Sequence, residues 1–167
     1  MRYDPTDEWE LRREIKFLAT RLEKAGKEVH IIPMSELLWS ALEQVHQKDD
    51  DEGLEAAIAL ERERGYVEAQ QQLTTYLSSK VWVPLWDLLA ERLATINPEN
   101  SVVFLTRVAA MSPAIFHVSM LLDKMHGKTK VTTILFYPGS IEGTTGLRFM
   151  DLKDRDALGN YRVKIYG

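Results

Sequence analysis

Val102-Val103-Phe104-Leu105-Thr106 decides the fold. Four consecutive apolar residues, with no polar residue alternating between them, suit a strand covered on both faces. Asn97-Pro98-Glu99-Asn100 breaks the chain just before it. Beyond it, Ser112-Pro113 opens a helical pattern through Ile115, Val118, Met120, Leu121 and Leu122. Lys130 to Phe136 then reads as a second strand, with Val131, Ile134 and Leu135 as its apolar residues. Strand, helix and strand in this order predict a βαβ unit, right-handed by strong default, with its two strands parallel.

Upstream, Leu11, Ile15, Leu18 and Leu22 form one stripe of a helix over residues 7–25, with Asp7 and Glu10 as a capping-box-like start and Gly26 as the stop. Val29 to Ile32 is a short strand ended by Pro33. Ser35 is expected to cap a helix reaching about Gln47 through Leu37, Leu38, Ala41, Leu42 and Val45. The stretch from about 49 to 96 reads as a helical insertion. It begins with the solvated acidic connection Asp49-Asp50-Asp51-Glu52 and a helix over Leu54–Arg64. Gly65 breaks that helix, and two more follow over about Val67–Leu77 and Trp82–Ala94, with Pro84 tolerated in a first turn.

Downstream of Phe136 come a Gly/Ser/Thr loop at 138–146, a short segment Leu147–Met150 and a last strand Tyr161–Tyr166. That strand alternates Tyr161, Val163 and Ile165 with Arg162 and Lys164, which gives it one wet face and predicts an edge position. The expectation is one α/β domain over residues 1–167. A small, mostly parallel, Rossmann-like sheet is flanked by helices, with a helical insertion in the middle and an edge strand at the C-terminal side.

Composition narrows the class of function. Apolar residues make up 45% and charged residues 28% of the 167, ordinary for a globular protein and wrong for a disordered one. No apolar run nears the ~20 residues of a membrane-spanning helix, and Met1-Arg2-Tyr3-Asp4-Pro5 lacks the features of a secretory signal. A cytoplasmic protein with no membrane partner is the simplest expectation. With no Cys there is neither a disulfide framework nor a thiolate nucleophile. Residues 1–100 hold 12 Lys/Arg against 20 Asp/Glu, whereas residues 101–167 hold 9 against 5. The basic part lacks the Lys/Arg run of a domain that binds DNA unaided, so DNA is expected only as an indirect partner.

Catalytic chemistry finds no support. Open α/β sheets bind ligands past the carboxyl ends of their strands. Two segments qualify: the one starting Thr106-Arg107 and ending at Ser112, and the one from Tyr137 to Gly146. In the second, Gly139, Ser140, Gly143, Thr144, Thr145 and Gly146 have the composition of a backbone nest for an anion, with Arg148 as a charged clamp. The spacing matches neither a Walker A loop nor G-x-G-x-x-G, and the glycines serve equally well as turn residues. Ala110-Met111-Ser112-Pro113-Ala114 loosely resembles a nucleophile elbow, followed by His117 and Asp123. An elbow serine sits on the tight turn directly after its strand. Ser112 lies six positions beyond Thr106, where Ser-Pro is an ordinary helix start. His30, His46, His117 and His126 lack zinc-ligand spacing, and Gly53 falls where a calcium loop needs a ligand. Asp151, Asp154 and Asp156 alternate with Lys153 and Arg155 as an exposed turn. No metal, cofactor or catalytic residue is assigned.

The block Leu135-Phe136-Tyr137-Pro138-Gly139-Ser140-Ile141-Glu142-Gly143-Thr144-Thr145-Gly146-Leu147-Arg148-Phe149-Met150 and the ending Asn160-Tyr161-Arg162-Val163-Lys164-Ile165-Tyr166-Gly167 resemble the B component of BREX (bacteriophage exclusion) phage-defence systems, the BrxB family. The resemblance extends to Val102–Thr106 and to Tyr3-Asp4-Pro5. Members of that family usually carry an apolar strand just before the Tyr-Asp-Pro position, so a shortened or missing strand is expected here. The resemblance implies a core subunit of a multi-protein system that methylates host DNA and blocks phage replication. Its implied partners are the alkaline-phosphatase-like PglZ protein, the adenine-specific methyltransferase and a large ATPase. It implies no catalytic residue. Two functions follow: a non-catalytic assembly subunit docking such partners, with Tyr161, Arg162, Lys164 and Tyr166 as a candidate partner edge, or a nucleotide- or phosphate-binding regulatory domain using the two segments that follow the strands.

Overall fold

Alternation along the central strand sorts the chain into layers. The computed structural model describes residues 1–111, 116–142, 146–151 and 164–166. Across these run β1 (Arg2–Tyr3), α1 (Glu8–Lys24), β2 (Glu28–Pro33), α2 (Met34–Lys48), α3 (Leu54–Arg64), α4 (Tyr66–Ser78) and α5 (Leu85–Ala94). They are followed by β3 (Ser101–Thr106), α6 (Val118–Met125), β4 (Thr132–Leu135), β5 (Tyr137–Glu142) and β6 (Gly146–Phe149), with 3-10 turns at Pro5–Asp7 and Val108–Met111.

β3 lies between β2 and β4, parallel to both, in a register that sets Val103 beside His30 and Thr133. All six of its residues are buried. Val103 and Leu105 join Ile32 and the apolar faces of α2, α4, α5 and α6 in one cluster. Val102 and Phe104 join Leu11, Ile15 and Ala19 of α1, together with Phe136, in another. Side chains one position apart on a strand point to opposite faces. The continuous apolar run therefore becomes the middle layer of a three-layer α/β/α arrangement.

A second sheet has the order β1-β5-β6, with β1 parallel and β6 antiparallel to β5. Only Phe136 separates β4 from β5, and its N–H still donates to the Leu105 carbonyl at 3.0 Å. One run of chain, 132–142, thus serves both sheets. Arg2–Tyr3 form the two-residue β1, and Tyr137 N–H donates to the Met1 carbonyl at 2.8 Å. The α/β class and the parallel unit around β3 agree with expectation. A single sheet does not, because the chain after β4 pairs with the N-terminal strand and then turns back on itself.

Several local expectations need correction. Residues 137–142 and 146–149, read as a loop and a short segment, are the strands of a hairpin. The helix expected from Ser112 starts at Val118, with His117 extended at its N-cap. Pro84 precedes α5 at the N-cap position, so Trp82 lies outside that helix. Ser35 is inside α2, whose N-cap is Pro33, and Asp7 makes no side-chain cap bond. Instead, Asp4 Oδ1 accepts from the Thr6 N–H at 2.9 Å and caps the preceding 3-10 turn.

The helical insertion is bound to the sheet through α2, which contacts α3, α4 and α5. Its acidic connection is more than a solvated linker. Asp49, Asp50 and Asp51 are exposed. Glu52, by contrast, accepts the hydroxyl proton of the fully buried Tyr76, and the Tyr76 oxygen accepts the Gly53 N–H at 3.3 Å. Gly53 has φ +101°, and a Cβ there would sit 3.2 Å from the Leu42 carbonyl oxygen and from the His46 Cβ. Only glycine lets the connection lie this close to α2.

Two outcomes follow for stability. Phe104→Ala removes a ring that meets Phe136 edge-to-face at 5.3 Å inside the α1-facing cluster. It should cost about 3–5 kcal/mol by urea unfolding, and a loss under about 1 kcal/mol would contradict this layering. Burial, followed by the Glu52 hydrogen bond, raises the Tyr76 pKa above its ordinary value of 10.0. The folded state therefore holds this proton more tightly, and its contribution is full below pH 10.0 and lost as pH rises through the raised value. Urea midpoints should fall more steeply above that pH in the native chain than in Tyr76→Phe.

Candidate functional site

The three parallel strands all end at Pro33, Thr106 and Leu135, where an open α/β sheet would hold a ligand. Thr106 is buried there. Arg107, exposed, takes a left-handed φ of 55°, which costs an L-residue about 1–2 kcal/mol. The turn it starts is closed by the Ala110 N–H donating to the Arg107 carbonyl at 3.1 Å. That turn sends Val108 and Met111 into the core, with Val108 fully buried and Met111 nearly so. The segment packs against both α2 and β5. These apolar side chains belong to the same core cluster as Val103 and Leu105.

The glycine-rich segment is built for close backbone approach. Gly139 stands opposite Phe149, Ser140 opposite Arg148 and Ile141 opposite Leu147. Gly139 has φ +139°, and a Cβ there would lie 1.9 Å from the Arg148 carbonyl oxygen. Tyr137 is buried against Phe149, ring centroids 5.6 Å apart, and its hydroxyl donates to the Leu147 carbonyl at 3.5 Å. Met150 N–H donates to the Pro138 carbonyl at 2.9 Å, and the hairpin leaves through Met150 and Asp151, both at positive φ. Strand amides point alternately to opposite sides, whereas an anion nest needs successive amides to converge. The described part of this segment is therefore hairpin ladder.

The fold brings some of the sequence-derived candidates together. The turn after Thr106 and Arg107 packs against β5, the strand that carries Tyr137, Gly139 and Ser140, and Gly146 and Arg148 lie on the adjoining strand. Ser112, Gly143, Thr144, Thr145, Tyr161 and Arg162 lie outside the described residues. Lys164 and Tyr166 are exposed, with the Lys164 Nζ 5.1 Å from the centre of the Tyr166 ring. They form no strand, but the Arg2 N–H donates to the Tyr166 carbonyl at 2.8 Å. Tyr137 already pairs with the opposite side of β1, so this C-terminal run lies along the outer margin of that sheet. Ile165 anchors it by packing on the larger core cluster.

One feature went unnoticed in the sequence. A cavity of about 340 Å³ lies between α2 and α3, lined by Trp39, Leu42, Glu43, His46, Leu54 and Glu55. Trp39 is 55% exposed. The signal was available: Trp39, Glu43 and His46 recur at i, i+4 and i+7, alongside the buried stripe of Leu38, Leu42 and Val45. The His46 Nδ1 lies 3.3 Å from the Glu52 carbonyl, which fixes the floor of the cavity to the acidic connection. Among the described residues, no three His, Asp or Glu side chains are grouped so as to hold a metal ion. None of their helices is long and apolar enough to cross a membrane.

A family model described as BREX protein BrxB matches residues 32–165, most of the chain. The match starts within β2, so the Tyr3-Asp4-Pro5 part of the resemblance falls outside it. No curated protein matches the chain, and no solved structure does.

Gly139→Ala tests the hairpin directly. The added methyl has no room beside the Arg148 carbonyl, so a loss of stability of roughly 2 kcal/mol or more is expected in chemical unfolding. A variant as stable as the native chain would mean that β5 and β6 are not paired this way.

Proposed function

The chain belongs to the BrxB family and is thus a component of a BREX phage-defence system, and from that premise we propose that it acts as a non-catalytic assembly subunit. Its partners are other BREX proteins. The alkaline-phosphatase-like PglZ protein is the foremost candidate, followed by the methyltransferase and the large ATPase, with DNA reached only through them.

The observation that carries this reading is how the strand ends are used. Val108 and Met111 directly after β3, and Tyr137 and Leu147 of the second sheet, are buried in the same core cluster as Leu105, which supports a structural use of these segments. Large apolar side chains stand instead on the outside: Trp9 on α1 is 78% exposed, and Phe17, Trp39 and Tyr166 are more than half exposed. Exposed aromatic residues beside Arg or Lys supply anchors for protein contacts. Arg12 lies 4.5 Å over the Trp9 ring, as Lys164 lies by Tyr166. Both pairings present an apolar surface with a charged margin.

The test is a pulldown of the tagged chain from cells expressing its whole operon, paired with thermal melts in ATP and GTP. Docking predicts recovery of at least one BREX protein, foremost the phosphatase-like one, and an unchanged melting temperature with either nucleotide. Recovery of the chain alone, with a nucleotide-dependent rise in melting temperature, would establish the regulatory-domain reading in its place.

A further inference from the structure

The cavity between α2 and α3 combines three properties that together select one kind of occupant. Its wall carries the half-exposed indole of Trp39 and the apolar side chains of Leu42 and Leu54. Its rim carries the carboxylates of Glu43 and Glu55, both exposed and neither with an ion-pair or hydrogen-bond partner among the described residues. The surroundings add more negative charge, since Asp49, Asp50 and Asp51 follow directly on α2 and are exposed. The nearest cation in sequence, Lys48, is engaged elsewhere, with its Nζ donating to the Trp82 carbonyl at 2.5 Å.

We propose that this groove is a docking site for a basic amphipathic segment of a partner protein, its apolar side chains against Leu42 and Leu54 and a Lys or Arg over the Trp39 indole between Glu43 and Glu55. An indole face attracts a cation, and two unpaired carboxylates at the rim hold its charge. The same charges repel nucleic acid phosphates and anionic lipid head groups. A second copy of the chain is the competing occupant that the test separates. Arg12 and Arg13 of its α1 are paired with Glu8 at 3.0 Å and Glu10 at 2.8 Å, whereas Lys16, Arg21 and Lys24 are exposed, so self-association through this groove would decide against the proposal.

The inference rests on the docking reading above but is tested by a separate arm. The first arm titrates the purified full chain with a fluorescein-labelled peptide of repeating Leu-Lys-Lys-Leu, and with its Leu-Glu-Glu-Leu counterpart. The lysine peptide should bind and the glutamate peptide should not. Glu43→Lys/Glu55→Lys and Trp39→Ala should each weaken binding roughly tenfold or more. Glu91→Lys/Glu99→Lys, which changes net charge equally on another part of the surface, should leave binding within about twofold. Equal weakening by both charge-reversal pairs, or binding of the glutamate peptide, overturns the proposal, as does self-association of the chain that Trp39→Ala abolishes. Circular dichroism and melting temperature check that each variant is folded, and Glu43→Gln/Glu55→Gln replaces any that is not.

The second arm repeats the operon pulldown with a photo-crosslinking amino acid in place of Ile58, an exposed residue of α3 one turn from Leu54. A crosslinked partner segment rich in Lys or Arg supports the proposal, and an acidic or neutral segment sinks it. If no BREX protein is recovered the docking reading fails, while the peptide arm still decides what the groove binds.

Discussion

The six residues of β3 must be covered on both faces and paired on both edges, and most of the structure can be read as the way this is met. Side chains that alternate across a strand leave no solvated face when all of them are apolar. Val102 and Phe104 require a layer on one side, and α1 supplies it; Val103 and Leu105 require one on the other, supplied by α2, α4, α5 and α6. The two edges are filled by β2 and β4 in parallel, a pairing that forces long crossovers. The crossover between β2 and β3 contains the whole helical insertion. That insertion is therefore no separate module, because its helices include the covering layer of the central strand.

The same constraint shapes the segments that follow the strands. After Thr106 the chain bends through the left-handed Arg107 and returns Val108 and Met111 to the core. Phe136 stays in register with Leu105 before the chain crosses to the second sheet, and Gly139 then allows the hairpin backbone to close on Arg148. A segment whose composition suggests an anion nest is used to join two sheets. Glycines answer to two demands, convergent amides and close backbone contact, and composition does not distinguish them. At Gly139 the contact, too short for any Cβ, shows the second demand.

What the core leaves outside forms a surface with two characters. α1 presents Trp9 beside Arg12 and Arg13, both paired within the helix, whereas the α2–α3 groove presents an indole with two unpaired carboxylates in its lining. The acidic excess of residues 1–100, visible as a mere balance of charges, acquires a location through the tether of Tyr76 to Glu52, which folds the acidic connection against the end of α2. The buried Tyr76 hydroxyl meets both Glu52 and the Gly53 N–H, at the point where Gly53 lies close to Leu42 and His46.

Much of this was legible in the order of residues. The apolar run 102–105, the stripes of α1 and α2 and the break at Gly65 follow from local periodicity or composition, and the block 135–150 carries a resemblance to a family in a contiguous motif; none of these needs knowledge of distant partners. Helix ends were less legible, because Ser35, Asp7 and Ser112 have good capping chemistry while tertiary packing set α2 and α6 to start elsewhere. The sharing of residues 132–142 between two sheets and the closing of the acidic connection onto α2 were decided only by tertiary structure. They depend on contacts between segments far apart in sequence: Met1 with Tyr137, and Gly53 with Tyr76. Local pattern fixes which face of an element is apolar; which other element covers that face, and what is left uncovered, is settled when the whole chain closes around its central strand.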